Sequence, residues 1–536
     1  MKKPKRRTHP PTTKKSTEPN RSNVQKKSPP IQRKSPNKIC LLLIGILIFS
    51  IIVRLYYFIG LHFSDAPSYV GYAQSVLDGT YKVKGDYPPH NRLFFIFPIA
   101  LSIKLFGFSE WSVVLFTFIC SVTAVLTTFF LGKLLFNPET GLLASFLLAV
   151  YPIDVLYSTQ VMTEVPLSCF MALSVFFFLK YARGYTRPIY LVLCGVFVGI
   201  SYMIREIALI LGIYFLIYIL KDLIKSRKIK YCYLYLFIGF CIVFLIEYLI
   251  YDYLSGDGFF RLKSLVRYFG KSNANYGRSG SEDVFSFYPL ILLNQLAKPF
   301  YYGYSCWLVI LSLAYFLLKK DENIHFVAVW LAAVYLYLDA GSMSLTEYIL
   351  MAKRARYLAI LTIPAVLIIS RFLWIQLTKK NNVSRIFWFL VMMSLIITNL
   401  SVLETEVAGF RCGYRGNVVL RECDLKSIAE FLYDKPQKTL YVSDSFNILR
   451  VFLKNERYDI RNIDYVNNPK VLKDSYVVVN LTTKTVRDKR YLANLPSWRK
   501  DIPKEWILLK KIVNINPDNP TSTTQNYPVI YYVPPD

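Results

Sequence analysis

Eleven apolar runs separated by short turns, several of them strongly basic, constrain this chain more than any other feature. They fall at 39–61, 111–136, 141–157, 165–181, 189–202, 207–220, 231–254, 306–318, 324–338, 356–373 and 386–402. Such runs read as membrane-crossing helices, because only a helix satisfies its own backbone polar groups where water is absent. Counted in order, the basic turns all fall on one side: Arg183 to Arg187, Lys221 to Lys230, Lys319–Lys320, and Lys379, Lys380 and Arg385. The bias of Lys and Arg toward the cytoplasm makes that side the inner one. Several runs are short for a full crossing, which tilt can accommodate.

The segment 1–38 is rich in Lys, Arg, Pro, Ser and Thr and almost free of apolar residues. It reads as a disordered cytoplasmic tail that touches anionic lipid. The first apolar run is too long for a signal-peptide core and shows no cleavage site, so it is expected to be retained. A net charge of +29 invites a nucleic-acid reading. The charge sits in the tail and the turns, however, where it orients helices, and nucleic acid is excluded on that ground.

The expected fold class is therefore a polytopic α-helical membrane protein with about 11 transmembrane helices over 39–402. Its termini face opposite sides, so a soluble domain at 403–536 lies outside the cytoplasm. Two long outer loops, 62–107 and 255–300, each contain an amphipathic stretch, at 93–106 and 287–300. The C-terminal segment has the order of a small α/β unit: helices at 425–432, with Asp424 as cap, and 446–453, and strands at 439–442, 476–480, 506–513 and 529–533.

Cys40, Cys120, Cys169, Cys194, Cys232, Cys241 and Cys306 lie in or beside apolar runs and read as ordinary small side chains. No CxxC or HExxH pattern points to zinc. Cys412 and Cys423 would share an oxidising compartment. They are expected either to bridge the short loop around Gly413 and Gly416 or to remain two free thiols.

One set of charges embedded in or flanking apolar sequence maps to the outer face. They are Asp154, Glu164, Arg205, Glu206, Glu347, Lys353, Arg354 and Arg356, joined there by Asp65, Asp78, Asp86, His90 and Arg92 of the first outer loop. Charge at membrane depth is costly and usually faces a cavity or a partner. Asp154, Lys353 and Arg354 fit a cavity lining or a helix end in the headgroup layer equally well. Arg205 and Glu206, with apolar sequence on both sides, fit a site or a structural ion pair. Taken together, the set suggests a cavity just below the outer surface, with carboxylates on one side and guanidinium groups on another. That combination suits glycosyl transfer from a lipid-linked phosphosugar. A carboxylate takes the proton of an acceptor hydroxyl. Arg or Lys neutralises the phosphate left behind.

Ser64-Asp65-Ala66-Pro67-Ser68-Tyr69, Leu105-Phe106-Gly107, Thr163-Glu164-Val165-Pro166, Arg205-Glu206 and Arg356-Tyr357 occur in this order and on one side. In this combination the chain resembles the integral-membrane, polyprenyl-phosphate-sugar-dependent glycosyltransferases of the GT-C fold. The nearest branch is that of the protein O-mannosyltransferases and lipid A aminoarabinose transferases. The resemblance implies the GT-C fold over about 39–403, a polyprenyl-phosphate-linked sugar as donor, and a protein, lipid or glycan acceptor. It places Asp65 at the catalytic or metal-associated Asp and Tyr69 at the conserved Tyr, with Arg356 and Arg205 holding donor phosphate. Arg354 and His90 are further phosphate candidates, and Tyr69 and Glu206 are structural or sugar-contacting candidates. Ala66 stands where the family has a second acid, so a two-carboxylate site must recruit Asp86, Asp78 or Glu164. That departure weakens the case for a divalent cation, Mg²⁺ or Mn²⁺, the one cofactor raised. The lipid A branch has Lys before paired prolines, whereas here the run is Asp86-Tyr87-Pro88-Pro89-His90. His90 fits a phosphate or acceptor contact and an interfacial histidine equally. The alternatives are a lipid-linked glycan flippase or transporter, for which no half-repeats are seen, and a polysaccharide polymerase, whose large loop would lie between helices rather than at the C-terminus.

Overall fold

The computed structural model describes residues 36–61, 65–83, 85–227, 230–271, 286–293, 302, 304–342, 348–351, 353–412, 422–442, 449, 451–453, 458–463, 466, 468–480, 502–512 and 528–535. Residues 1–35 of the expected N-terminal tail, Glu347, the stretch 294–300 and half of the expected helix 446–453 lie outside the described residues. So do the side chains of Cys412 and Cys423, and with them their expected bridge.

Every expected apolar run is helical over most of its length, and the third, 141–157, breaks into two helices. The helices used below are α1 (Pro36–Tyr56), α2 (Ala66–Leu77), α3 (Leu93–Phe106), α4 (Glu110–Leu135), α5 (Pro138–Ala149), α6 (Pro152–Ser158), α7 (Glu164–Ala182), α8 (Ile189–Ile204), α9 (Ile210–Ser226), α10 (Leu234–Ser255) and α11 (Phe260–Lys271). Eight helices among the described residues are long and apolar enough to cross a membrane alone, or nine if the broken pair α5–α6 counts as one span. Helix α8 and the helix Ser305–Lys319, with 16 and 15 residues, are the two short members of the expected eleven. By length and composition the described residues thus carry eight or nine candidate crossings, against the eleven expected from the apolar runs.

Local chemistry sets the helix ends. Ser109 and Ser112 exchange backbone-to-hydroxyl hydrogen bonds of 3.2 and 3.0 Å and cap the start of α4. Asn137 accepts from the Thr140 amide at 2.7 Å and Pro138 opens α5. Pro152, which has no N–H to give, follows the 60° break between α5 and α6. Helix α10 ends at Gly256 with φ +72°, a conformation that a side chain disfavours.

The break before α6 is braced from inside. Arg54 of α1, fully buried, donates to Asp154 of α6 at 2.6 Å, and the Ser121 hydroxyl of α4 reaches the same carboxylate oxygen at 2.8 Å. Asp154 therefore neither ends a helix in the headgroup layer nor lines the site. It is neutralised within the bundle, as an ion at that depth must be.

The expected last run, 386–402, is part of one helix, Asn382–Cys412. Beyond it a five-stranded sheet has the order β2-β1-β3-β5-β4. The strands are β1 (Thr439–Val442), β2 (Ile460–Asn462), β3 (Ser475–Asn480), β4 (Ile507–Lys511) and β5 (Pro528–Val533). The first three pair in parallel, with Leu440 opposite both Ile460 and Tyr476. β5 runs antiparallel to β3 and β4, with Val478 opposite Ile530. Side chains alternate across β3. Tyr476 and Val478 join a core that includes Leu61, Tyr69, Phe95 and Val113 of the first polar loop and its flanks, and Val477 and Val479 pack on the far face with Tyr441 and Trp506. One apolar core thus joins the sheet to the first loop. Lys426 and Glu110 reinforce that joint at 3.3 Å.

Candidate active site

The first polar loop returns across the end of the bundle through α2, a short turn at Pro88–Asn91, and α3. Asp65 is the residue before α2. Glu164 opens α7 in its first turn, and its carboxylate is buried. Arg205 stops α8 by adopting an extended backbone, φ −161° and ψ 137°, before a one-turn helix from Glu206 leads into α9. Arg356 lies in the 3₁₀ segment Ala355–Leu361 that begins the next buried span. Each of these positions ends or begins an apolar helix, which is why four charges from distant sequence meet there.

They meet as an alternating chain. Arg356 donates from one Nη to Asp65 Oδ2 at 2.9 Å, and its Nε lies 3.2 Å from Glu164 Oε1. The same Oε1 accepts from Arg205 at 3.0 Å. The Arg205 guanidinium rests on the Tyr357 ring, 4.0 Å from its centroid. Side-chain exposure falls from 25% at Asp65 and 18% at Arg356 to 2% at Glu164, so Asp65 is the carboxylate that an incoming group meets first. Glu164 Oε2 and Arg205 Nε are buried without hydrogen-bond partners among the described residues. Polar capacity is therefore left open in the interior of the chain of charges.

Burial alone would raise the Asp65 carboxyl. Arg356, then Arg92 and Arg205, outweigh it and hold the group below its ordinary range. The Tyr87 hydroxyl donates to Asp65 Oδ1 at 3.2 Å. Burial and then the Asp65 charge push that phenol up, so it stays protonated and able to donate. Tyr69 is buried, accepts from Arg92 at 2.6 Å and is pushed up to about 12, by burial first.

A second network runs beside the first. Arg92 and Arg261 flank Glu206 at 3.4 and 3.6 Å, and Arg261 also holds the buried Glu247 at 2.5 Å. Arg205 and Glu206, adjacent in sequence, thus do not pair with one another. They turn to different networks.

The remaining expected residues separate from this centre. Asp86 pairs with Arg267 of α11 at 2.9 Å rather than with the Asp65 chain, so Glu164 is the second carboxylate that the fold brings to Asp65. Asp78 ends α2 and accepts from Gln74 at 3.3 Å. His90 stacks on Tyr72 at 4.4 Å and meets the edge of Tyr81 at 5.2 Å. Arg354 is exposed, and its backbone contacts the Tyr288 hydroxyl at 3.2 and 3.3 Å. Lys353 is buried and caps the helix Glu322–Ala340 through the Leu338 carbonyl at 2.9 Å. Arg92 is one of the first-loop charges expected at the outer face, without an assigned role, whereas Arg261 and Glu247 are additions of the structure. Glu247, an acid set in the interior of the run 231–254, is the sequence signal for the second network.

Among the described residues no three His, Cys, Asp or Glu side chains converge as metal ligands. The two carboxylates of the centre share a guanidinium, whose charge already occupies the place between them. These residues do not fit a divalent cation.

Residues 89–251 match the model of the dolichyl-phosphate-mannose-protein mannosyltransferase family. That stretch includes Arg92, Glu164, Arg205 and Glu206 and leaves Asp65 and Arg356 outside. In structure the chain is similar to ArnT from Cupriavidus metallidurans in the apo state, with TM-score 0.59 and 12% identity over 92% of this chain and 97% of that one. ArnT bound to undecaprenyl phosphate aligns with TM-score 0.57 and 12% identity over 93% and 98%. The Archaeoglobus fulgidus oligosaccharyltransferase tethered with an acceptor peptide aligns with TM-score 0.55 and 12% identity over 92% and 74%. No curated protein sequence matches the chain. The chain has the GT-C glycosyltransferase fold, as the order of its short motifs implied.

Proposed function

We propose that this chain transfers a monosaccharide from a polyprenyl-phosphate-linked donor to an acceptor hydroxyl, with Asp65 as general base. The observation that carries the reading is the alternation Asp65–Arg356–Glu164–Arg205, which opens to the surface at Asp65 and closes inward at Glu164. This reaction needs a base on the acceptor side of the anomeric carbon and phosphate-binding groups on the leaving-group side, and the alternating chain supplies both kinds of group within one site. The family match over 89–251 and the undecaprenyl phosphate bound to ArnT support a lipid-linked donor.

The acceptor oxygen attacks the anomeric carbon, and its proton passes to a carboxylate oxygen of Asp65. The bond from the anomeric carbon to the phosphate oxygen breaks, and its electron pair stays on that oxygen. Polyprenyl phosphate leaves with its new negative charge against Arg356 and Arg205. A single displacement inverts the anomeric configuration. Arg356 couples the two tasks. In the free protein it keeps Asp65 ionised, and a donor phosphate that draws it away returns basicity to the carboxylate when an acceptor must be deprotonated. Glu164 keeps Arg205 and Arg356 aligned and compensates their charge in the absence of donor.

The substitution Asp65→Asn tests this reading, because it retains size and most hydrogen bonding but cannot accept the proton. Turnover is expected to fall by about 10²–10⁴, with donor binding retained. Near-normal turnover in monodisperse D65N would remove Asp65 as the base.

A further inference from the structure

Tyr87 lies between two contacts that the reaction scheme does not use. Its hydroxyl donates to Asp65 Oδ1 at 3.2 Å, while the preceding residue, Asp86, binds Arg267 at 2.9 Å. The Tyr87 ring also meets the Tyr268 ring, with 6.5 Å between centroids. Arg267 and Tyr268 belong to α11, the first element of the second long polar loop. Pro88 and Pro89 follow at once and stiffen the chain on the other side.

Helix α11 is itself firmly placed. Arg261 binds Glu247 and donates to the Tyr202 carbonyl at 2.7 Å. Ser264 accepts from the Asn91 side chain at 2.8 Å, and the Asn91 carbonyl accepts from Tyr251 of α10 at 2.6 Å. The turn carrying Tyr87 and the helix facing it are therefore fixed to one another at both ends. The Asp65 carboxylate has one oxygen on Arg356 and the other on Tyr87.

We propose that Tyr87 is a positioning residue for Asp65, and that the Asp86–Arg267 pair of the second polar loop sets the place of its hydroxyl. The proposal rests on the glycosyl-transfer reading, since it assigns Tyr87 a part in orienting the base. When a donor phosphate draws Arg356 from Oδ2, the Tyr87 bond keeps the carboxylate from rotating and leaves Oδ2 facing the acceptor. Helix α11 thereby acts on the reacting carboxylate without touching it.

The groups facing Asp65 decide the signs. Arg356, Arg92 and Arg205 approach from three other elements and favour its ionised form, and the Tyr87 hydroxyl adds a donor. Removing that donor in Y87F raises the acid limb of the rate profile. Replacing Asp86 separates two effects. Loss of a nearby negative charge would by itself lower the Asp65 pKa, whereas release of Tyr87 raises it. D86N thus moves the limb up if the pair positions Tyr87, and down or not at all if it acts only through its charge.

The test uses full-length protein and two readouts. The first is release of polyprenyl phosphate from a radiolabelled polyprenyl-phosphate sugar as a function of pH. The second is mass-spectrometric detection of carbodiimide addition to Asp65, which reports its protonation without any turnover. Y87F is expected to lower kcat about tenfold with donor KM little changed, and to raise the labelling midpoint by about one pH unit, the worth of a hydrogen bond to a charged group. D86N should raise that midpoint by less. An unmoved midpoint in Y87F would overturn the proposal, and a midpoint in D86N that moves down or not at all would remove the role of the Asp86–Arg267 pair. Wild-type protein that releases nothing from any donor, but whose midpoint still moves in Y87F, would instead count against the transfer reading alone.

Discussion

Arg356 holds Asp65 and Glu164 together, and replacing it or Arg205 with Lys asks whether geometry or charge matters. Lysine keeps the charge and loses the planar fork that grips two phosphate oxygens. Both R205K and R356K are expected to raise donor KM by on the order of tenfold to a hundredfold, the worth of one charged hydrogen bond. Unchanged donor saturation in both would count against a phosphate role. Because Asp65 is held below the ordinary carboxylate range in the free protein, the acid limb of kcat/KM is expected below that range, with activity lost as pH falls through it, and the limb of kcat above it, where bound donor has drawn Arg356 away. At this scale the sequence was informative where charge interrupts an apolar run, as at Glu164, Arg205 and Arg356. It did not tell which acid would join Asp65. Asp86 is far nearer in sequence, but the return of the first loop carries it to α11, and a helix start 99 positions away from Asp65 supplies Glu164 instead. Arg54 gave no hint of its partner either, since only the break before α6 brings Asp154 to it.

Helix α8 is too short to be secured by length, and its contact with α10 explains how it is held. Gly195 and Gly199 stand one turn apart. A methyl group at Gly195 would lie 1.9 Å from the Leu236 carbonyl oxygen, and one at Gly199 would lie 2.6 Å from Val243. A methyl group at Gly239 of α10 would likewise lie 2.1 Å from the Val192 carbonyl oxygen. Such small-residue faces let backbones pack where lipid offers no hydrophobic drive for association. Gly195→Ala is therefore expected to destabilise the protein by about 1–3 kcal/mol through overpacking. Gly212→Ala in α9, where the added methyl meets nothing within 4 Å, should be neutral or stabilising by helix propensity. Thermal unfolding of both variants in the same detergent checks the contrast, and equal midpoints would contradict this account of α8. Apolar periodicity made the helices legible. Their pairing was not, because a glycine declares itself a contact only once its neighbour is known.

For the molecule as a whole, the loop that carries Asp65 is supported from two directions. Below it lies the bundle, and above it the sheet shares its apolar core. The α/β character of the C-terminal segment and four of its strands could be read from the sequence. Strand β2 could not, being three residues long, and neither could the shared core, in which Tyr476 and Val478 cluster both with Leu425, Ile428 and Leu432 of their own domain and with Leu61, Tyr69 and Phe95 of the first loop and its flanks. The claim that unites these scales is that the molecule exists to move a sugar from a lipid phosphate. Purified protein incubated with a panel of radiolabelled polyprenyl-phosphate sugars and candidate acceptors measures it directly. The account predicts that one donor yields free polyprenyl phosphate together with label in an acceptor. Intact donor across the whole panel, from protein that is folded and monodisperse, would contradict it.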